Sequence, residues 1–219
     1  MTRRVQGLVA PRLSAPDLPP VLESGPPPSR GEESFQIRWT ALDQVTDAAH
    51  SAITECAVIE APVDRLDISG AALVDVDIAD LRATAVAGRG ARLRRVRIAG
   101  GRIGTLDLAD ADLDEVELRG IRIDYLSLGG GRVADLVVSG CTIGTLDMPQ
   151  ARLSRVAFLD SRADEVDTRG LRAEHLDLRG LDAVSYLDLA SLRGATLSPR
   201  QVEQLAPALA AALGIRVED

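Results

Sequence analysis

The stretch Leu106-Asp107-Leu108-Ala109-Asp110-Ala111-Asp112-Leu113-Asp114-Glu115-Val116-Glu117-Leu118-Arg119-Gly120 decides the fold. Its apolar residues at 106, 108, 111, 113, 116 and 118 mark a five-residue unit that is apolar at its first and third positions. Neither ordinary period does this. An amphipathic helix needs apolar residues at i, i+3, i+4 and i+7, and a half-buried strand needs unbroken alternation. Two inward residues separated by one outward residue, then two more non-core residues, describe a very short strand followed by a corner. Repeated, the unit winds a coil with inward side chains on every side.

Working outward, the period holds. Stepping by ten from Leu66 to Leu176 meets only Leu or Val. Two residues further on, the series from Ile68 to Leu178 is large and apolar except at Gly88 and Thr168. The half-step supplies small-x-large pairs such as Ala71-x-Leu73, Ala91-x-Leu93, Ala111-x-Leu113 and Ala151-x-Leu153. The register extends back through Cys56-x-Val58 to Ser51-x-Ile53 and forward to Ala183, so residues 51–185 hold 27 units of five without an insertion.

Segments such as Val116-Glu-Leu-Arg-Gly120 and Leu176-Asp-Leu-Arg-Gly180 give this repeat a resemblance to the pentapeptide-repeat family, whose unit is roughly small/apolar-Asp-Leu-x-Gly. The resemblance covers about residues 46–197. It implies an all-β solenoid, a right-handed quadrilateral parallel β-helix with four units per coil. That gives about seven coils and, at roughly 4.8 Å per layer, a rod on the order of 30 Å long. The chain departs from the family pattern by placing Leu at the first inward position on several faces and by having Phe158 alone as a central Phe.

Composition bounds the function. The chain has 219 residues, with 33 acidic against 25 basic and a formal net charge of −8. That balance argues against a general binder of nucleic acid or of anionic membrane. Aromatics make up 2% of the chain, so the core must be aliphatic. No 18-residue apolar run exists to span a membrane. The longest apolar run near the N-terminus, Leu8 to Ala10, is too short for a signal-peptide core, so a cytoplasmic location is expected. Lys and Asn are absent, and every basic residue is Arg.

The ends read differently from the middle. Seven of the eleven prolines lie in the first 28 residues, so residues 1–31 are expected to be largely disordered, with a Pro-rich ligand for a partner as the alternative. Residues 32–50 read as a cap strand and lead-in, with Phe35, Ile37 and Trp39 on one face; a binding patch is the alternative. Residues 51–197 are the β-helix. Tyr186 reads as one extra residue, after which Leu187-Asp188-Leu189 resumes the pattern. Residues 198–219 read as a helical cap. Ser198 is the N-cap, Pro199 is N1 and Gln201 completes a capping box; Pro207 should kink or split the helix, Gly214 should stop it, and Ile215 and Val217 should form a terminal strand. The alternative reading of this cap is a homodimer face.

The chemistry inventory is thin. Cys56 and Cys141 fall on inward positions four coils apart, about 20 Å, too far for a disulfide. His50 and His175 read as solvated surface. Nothing points to a catalytic residue, a metal site or a cofactor, so no enzyme activity is expected. The outward residue of each strand carries the clearest signal, because its sign alternates from face to face. One face offers an acidic stripe, Asp67, Asp107, Asp147 and Asp167; another offers a basic stripe, Arg82, Arg102, Arg122 and Arg162. Charge compensation across corners explains this pattern as well as partner binding does. The expected function is a non-enzymatic scaffold that binds a protein partner through flat charged faces, without direct nucleic-acid or membrane contact, as a monomer or a homodimer through the C-terminal cap. The alternative, implied by the family resemblance alone, is a DNA mimic acting on DNA gyrase or a related type II topoisomerase. On that alternative, reversing Asp107, Asp147 and Asp167 to Arg should abolish the contact and leave folding intact.

Overall fold

Twenty residues close one coil, and three of its four corners place a residue in the left-handed region. In the coil 91–110 these are Arg95 (φ 50°), Gly100 (φ 71°) and Asp110 (φ 59°). The fourth corner, at Gly104–Thr105, carries no left-handed residue. The five-residue unit follows from this geometry, because each corner consumes the two non-core positions.

The computed structural model describes residues 7–217. In chain order the strands are β1 (Glu23–Ser24), β2 (Glu33–Phe35), β3 (Ile37–Trp39), β4 (Val45–Asp47), β5 (Ala52–Ile59), β6 (Pro62–Asp67), β7 (Ala72–Ala79), β8 (Arg82–Ala87), β9 (Arg92–Ala99), β10 (Arg102–Asp107), β11 (Asp112–Arg119), β12 (Arg122–Ser127), β13 (Arg132–Ser139), β14 (Thr142–Asp147), β15 (Arg152–Leu159), β16 (Ser161–Asp167), β17 (Arg172–Asp177) and β18 (Leu181–Leu187). The odd-numbered strands stack into one parallel sheet, with β2 also beside β5; the even-numbered strands from β4 to β18 stack into a second. Pairing is in register at one coil's spacing, Val96 on Val116 and Leu106 on Leu126. Each sheet wraps one of the coil's corners and so covers two of its four faces. The result is a parallel β-solenoid of about eight turns with a single C-terminal helix, one turn more than the sequence suggests.

The core is one continuous apolar cluster from Trp39 to Leu192. Leu106, Val116, Leu126, Leu136 and Leu146 are fully buried, as their place in the ten-residue series requires. The two gaps in the second series are both resolved. Side chains of Ile68 and Leu108 close over Gly88, where an added Cβ would lie 2.8 Å from Leu108 Cδ2. Buried Thr168 donates its hydroxyl to the Leu187 and Asp188 carbonyls at 2.6 and 2.8 Å.

The ends depart from the sequence reading in several places. The ladder begins ahead of residue 51: β2 and β3 pair with β5, and β1 pairs with β3. Gln36 is itself a left-handed corner (φ 57°), so Phe35 and Trp39 do not share a face. Phe35 is 59% exposed, while Trp39 is buried and closes the N-terminal end of the core. Tyr186 is not an extra residue. It pairs with Val166, holds register, and takes an inward position; after it Asp188 turns left-handed and Leu189–Leu192 form a short 3-10 turn. The helix α1 (Pro199–Ala212) runs on through Pro207, and residues 215–217 form no strand.

The C-terminal cap otherwise follows its sequence signals. Ser198 Oγ accepts the Gln201 amide, and Gln201 Oε1 accepts the Ser198 amide at 2.7 Å. Gln201 does more than the capping box asks. Its Nε2 donates to the Leu178 and Leu181 carbonyls at 2.7 and 2.8 Å, closing the last coil.

The N-terminal segment shows the largest difference. The first six residues of the stretch expected to be disordered lie outside the described residues. From Val9 to Asp17 the chain is laid along one corner of the solenoid, running from the coil of His175 to the coil of Asp75. At the N-terminal end β1 pairs with β3, the Trp39 indole donates to the Pro26 carbonyl at 2.6 Å, and Pro28 is buried. Proline has no amide donor, so a proline-rich stretch over the first coil ends the ladder instead of extending it.

Candidate functional surfaces

Strand pairing sets both charged stripes in straight columns. Asp47, Asp67, Asp107, Asp147 and Asp167 share one outward column of the even-numbered sheet, interrupted by Ala87 and Ser127. Arg82, Arg102, Arg122 and Arg162 share the outward column one corner away in the same sheet, interrupted by Thr142.

The acidic column is held mostly by its own backbone. The carboxylates of Asp47, Asp67, Asp107 and Asp167 each accept the amide two residues on, from Ala49, Ser69, Ala109 and Arg169, at 3.0–3.1 Å. These Asx turns lock the corner. Pro149 offers Asp147 no such amide, and Asp147 instead accepts the Ser127 hydroxyl at 3.1 Å. Beside it Tyr125 is 38% exposed, and burial together with the Asp147 carboxylate pushes its phenol up. Counter-charges sit close by. The Arg169 guanidinium forks onto Asp167 and holds its carboxyl below the usual range. Burial raises the Asp67 carboxyl, but hydrogen bonds from Ser69 and Arg65 outweigh it and bring the group down. Replacing Asp107 or Asp167 by Arg therefore removes a turn hydrogen bond as well as a charge.

The basic column is less tied. Arg102 and Arg122 converge on Asp124 at 3.1 and 3.6 Å, and Arg162 stands 4.0 Å from Asp164. These side chains are more than half exposed.

The sequence reading missed a third column. At the corner inside the odd-numbered strands stand Glu55, Asp75, Arg95, Glu115, Asp135, Arg155 and His175, all left-handed with φ between 50° and 58°. Arg95 forks onto Asp75 at 2.7 and 2.6 Å, and Arg155 onto Asp135 at the same distances. Both carboxyls are 5% exposed, and the guanidinium beside each holds it below its ordinary value. The N-terminal strap lies on this column. The amides of Val9, Arg12, Ser14 and Asp17 donate to His175 Nδ1, Asp135 Oδ1, Glu115 Oε2 and Asp75 Oδ1 at 3.3, 2.9, 2.9 and 2.9 Å. His175 is therefore an acceptor for the strap rather than a solvated side chain.

Cys56 and Cys141 are free and buried, and burial pushes both thiols up. Among the described residues no group of three or more His, Cys, Asp or Glu could hold a metal ion. One cavity of about 30 Å³ lies inside the N-terminal coils, with an apolar lining that includes Trp39, Val76 and Leu108. These surfaces offer charged and hydrogen-bonding groups in regular columns.

No model of a known protein family matches the chain, and no curated protein matches it in sequence. Solved structures similar to it include a trypsin-treated form of QnrB1, a plasmid-mediated fluoroquinolone resistance protein. That match has 17% identity and a TM-score of 0.31, and covers 90% of this chain and 96% of that one. Another is HetL, a pentapeptide repeat protein involved in heterocyst differentiation regulation from the cyanobacterium Nostoc sp. It has 15% identity and a TM-score of 0.33, and covers 77% of this chain and 89% of that one. Scores this low carry no argument about a partner. The chain's own unbroken five-residue period, and the four-cornered coil into which it winds, make it a parallel β-solenoid with four five-residue units to the turn.

Proposed function

We propose that the chain is a non-enzymatic scaffold that binds a protein partner through the flat charged faces of the even-numbered sheet. One observation carries this reading. The interior is packed with buried apolar side chains from Trp39 to Leu192, while the exterior presents straight Asp and Arg columns one corner apart. The surface concavities of some hundreds of Å³, such as the groove of about 430 Å³ between Arg89, Tyr125 and Gln150, lie open along the faces, whereas a small-molecule site buries most of its ligand. A solenoid's repeated faces suit an extended protein contact instead.

The columns also weigh between a protein partner and DNA mimicry of a type II topoisomerase. A mimic of the duplex needs bare negative charge along its length. Here Arg169 covers Asp167, Arg65 stands 3.5 Å from Asp67, and the basic column lies one corner away. This favours a partner of mixed charge.

The test uses substitutions that spare the turns. Asp107→Asn, Asp147→Asn and Asp167→Asn together keep a side-chain acceptor and remove three charges; Arg82→Gln, Arg102→Gln and Arg122→Gln remove three on the other face. Proteins captured from host lysate at two salt concentrations should be lost with one or both triples while circular dichroism shows the β-solenoid kept. Retention of every captured protein by both triples overturns the face assignment. Capture of a topoisomerase, lost with the Asp triple alone, would favour mimicry.

A further inference from the structure

We propose that the corner column from Asp75 to His175 is a recognition site for an extended peptide of Ala-Pro-x-Leu pentads, filled at rest by the chain's own N-terminal strap. The surface is distinct from the two charged faces, and the inference stands whether or not those faces bind a partner.

The strap carries a five-residue repeat of its own. Ala10-Pro11-Arg12-Leu13-Ser14 is followed by Ala15-Pro16-Asp17-Leu18-Pro19. In each pentad the residue after the proline donates its amide to a buried Asp. Arg12 donates to Asp135 and Asp17 to Asp75. Those acceptors are 60 residues apart, three coils, or roughly 14 Å of stacked layers. Five residues of an extended proline-rich chain advance roughly 15 Å. The two repeats are therefore commensurate, one pentad of strap to three coils of solenoid. Each repeat meets the same receptor, an Asp held by the Arg of the next coil. Between them Glu115 takes the Ser14 amide.

The corner itself supports the assignment. A side chain in the left-handed region is strained, and such residues persist where the surroundings fix them for a purpose. The other two left-handed columns use glycine at about half their positions, as at Gly70, Gly90, Gly100, Gly120, Gly130 and Gly140. This column uses none over seven coils, and each of its members from Asp75 to His175 joins an ion pair or receives the strap. The bound strap keeps part of its surface in solvent: Leu8, Val9 and Leu13 are 36–38% exposed and no residue from 7 to 20 is buried. A segment held in that way can exchange with a free peptide of the same pattern, once its high local concentration is removed.

The test removes the strap and returns it in trans. A chain lacking residues 1–19 keeps the first-coil cover from β1 to Pro28; its circular dichroism and thermal transition check the fold. A labelled peptide of residues 7–19 is titrated by fluorescence anisotropy up to millimolar concentration. Saturable binding to the shortened chain, at least about tenfold tighter than to the full chain, is expected. Two peptide variants leave the protein untouched. One carries Arg12→Pro and Asp17→Pro, which remove both donors; the other carries one extra alanine between Ser14 and Ala15, which breaks the register. Each should weaken binding by at least about tenfold. Equal binding of all three peptides, or no binding to the folded shortened chain, overturns the proposal. If the shortened chain does not fold, the full chain carrying Asp17→Pro decides. Trypsin should cut it after Arg12 several-fold faster than the parent, and an unchanged rate overturns the site.

Discussion

At the scale of single residues, the inward columns and the buried ions make separate predictions. Leu128 is 1% exposed in the middle of the rod, so Leu128→Ala should cost about 2–5 kcal/mol. The denaturant midpoint measures it, and no change would mean that Leu128 points elsewhere. Asp75, Asp135, Asp167 and Asp177 all titrate below the ordinary 3.8, each chiefly because a neighbouring Arg donates to it. A carboxyl depressed in the folded state stabilises the fold above its unfolded value, and that contribution is lost as pH falls through the folded value. Thermal midpoints should therefore fall steeply below about pH 4, and the double variant Asp75→Asn, Asp135→Asn should flatten that acid limb. Tyr186 works in the opposite range. Its hydroxyl is buried without a partner among the described residues, and burial pushes it up to about 12. A raised phenol keeps its full contribution below the unfolded value near 10 and loses it as pH rises toward 12. Tyr186→Phe should remove that alkaline limb and stabilise the chain by about 1 kcal/mol, since an unsatisfied buried hydroxyl costs about 1–3 kcal/mol.

At the scale of elements, the sequence was legible where its period was unbroken and illegible where side chains answered to something outside the repeat. The ladder from β5 to β18 could be read because the inward positions are set by sterics that recur every five residues, from Ile53 through Val166. Trp39 and Phe35 could not, because alternation predicts a shared face and says nothing of a corner at Gln36. The acidic and basic columns were visible as positions, but the Asx turns that occupy Asp107 and Asp167 were not. The strap was missed for a different reason. Composition classed a proline-rich stretch as unable to fold alone, which holds for the stretch in isolation. The pair Ala10-Pro11-x-Leu13 and Ala15-Pro16-x-Leu18 was the signal that it follows a repeating surface. At the other end, the capping box located α1, while the reach of Gln201 into the last coil needed coordinates. Gln201→Ala leaves the Leu178 and Leu181 carbonyls without that donor and breaks the capping box. The expected cost is about 1–2 kcal/mol, with amides of β17 and β18 exchanging faster than those of β11. Uniform exchange across the rod would mean that the helix does not hold the end.

At the scale of the whole molecule, a solenoid's coils touch only their neighbours. Its stability is a sum of coil and interface contributions, and its cooperativity depends on how strongly those interfaces couple. The strap changes that arithmetic. It binds the coil of His175 and the coil of Asp75 with one continuous segment, and so links coils that share no contact. Its anchors span roughly 24 Å of stacked layers, most of the rod. Removing residues 1–19 should then do more than subtract a few hydrogen bonds. With the link present, fraying of the C-terminal coils also gives up the anchors at Val9 and Arg12 and loosens the segment that Asp75 holds, so opening at one end weakens the other. Without it, the two ends can fray independently. Urea titration followed by circular dichroism should show a lower midpoint and also a shallower transition, with a smaller m-value for the shortened chain, because intermediate states become populated. A lower midpoint with an unchanged m-value would mean that the strap stabilises only the coils that it touches.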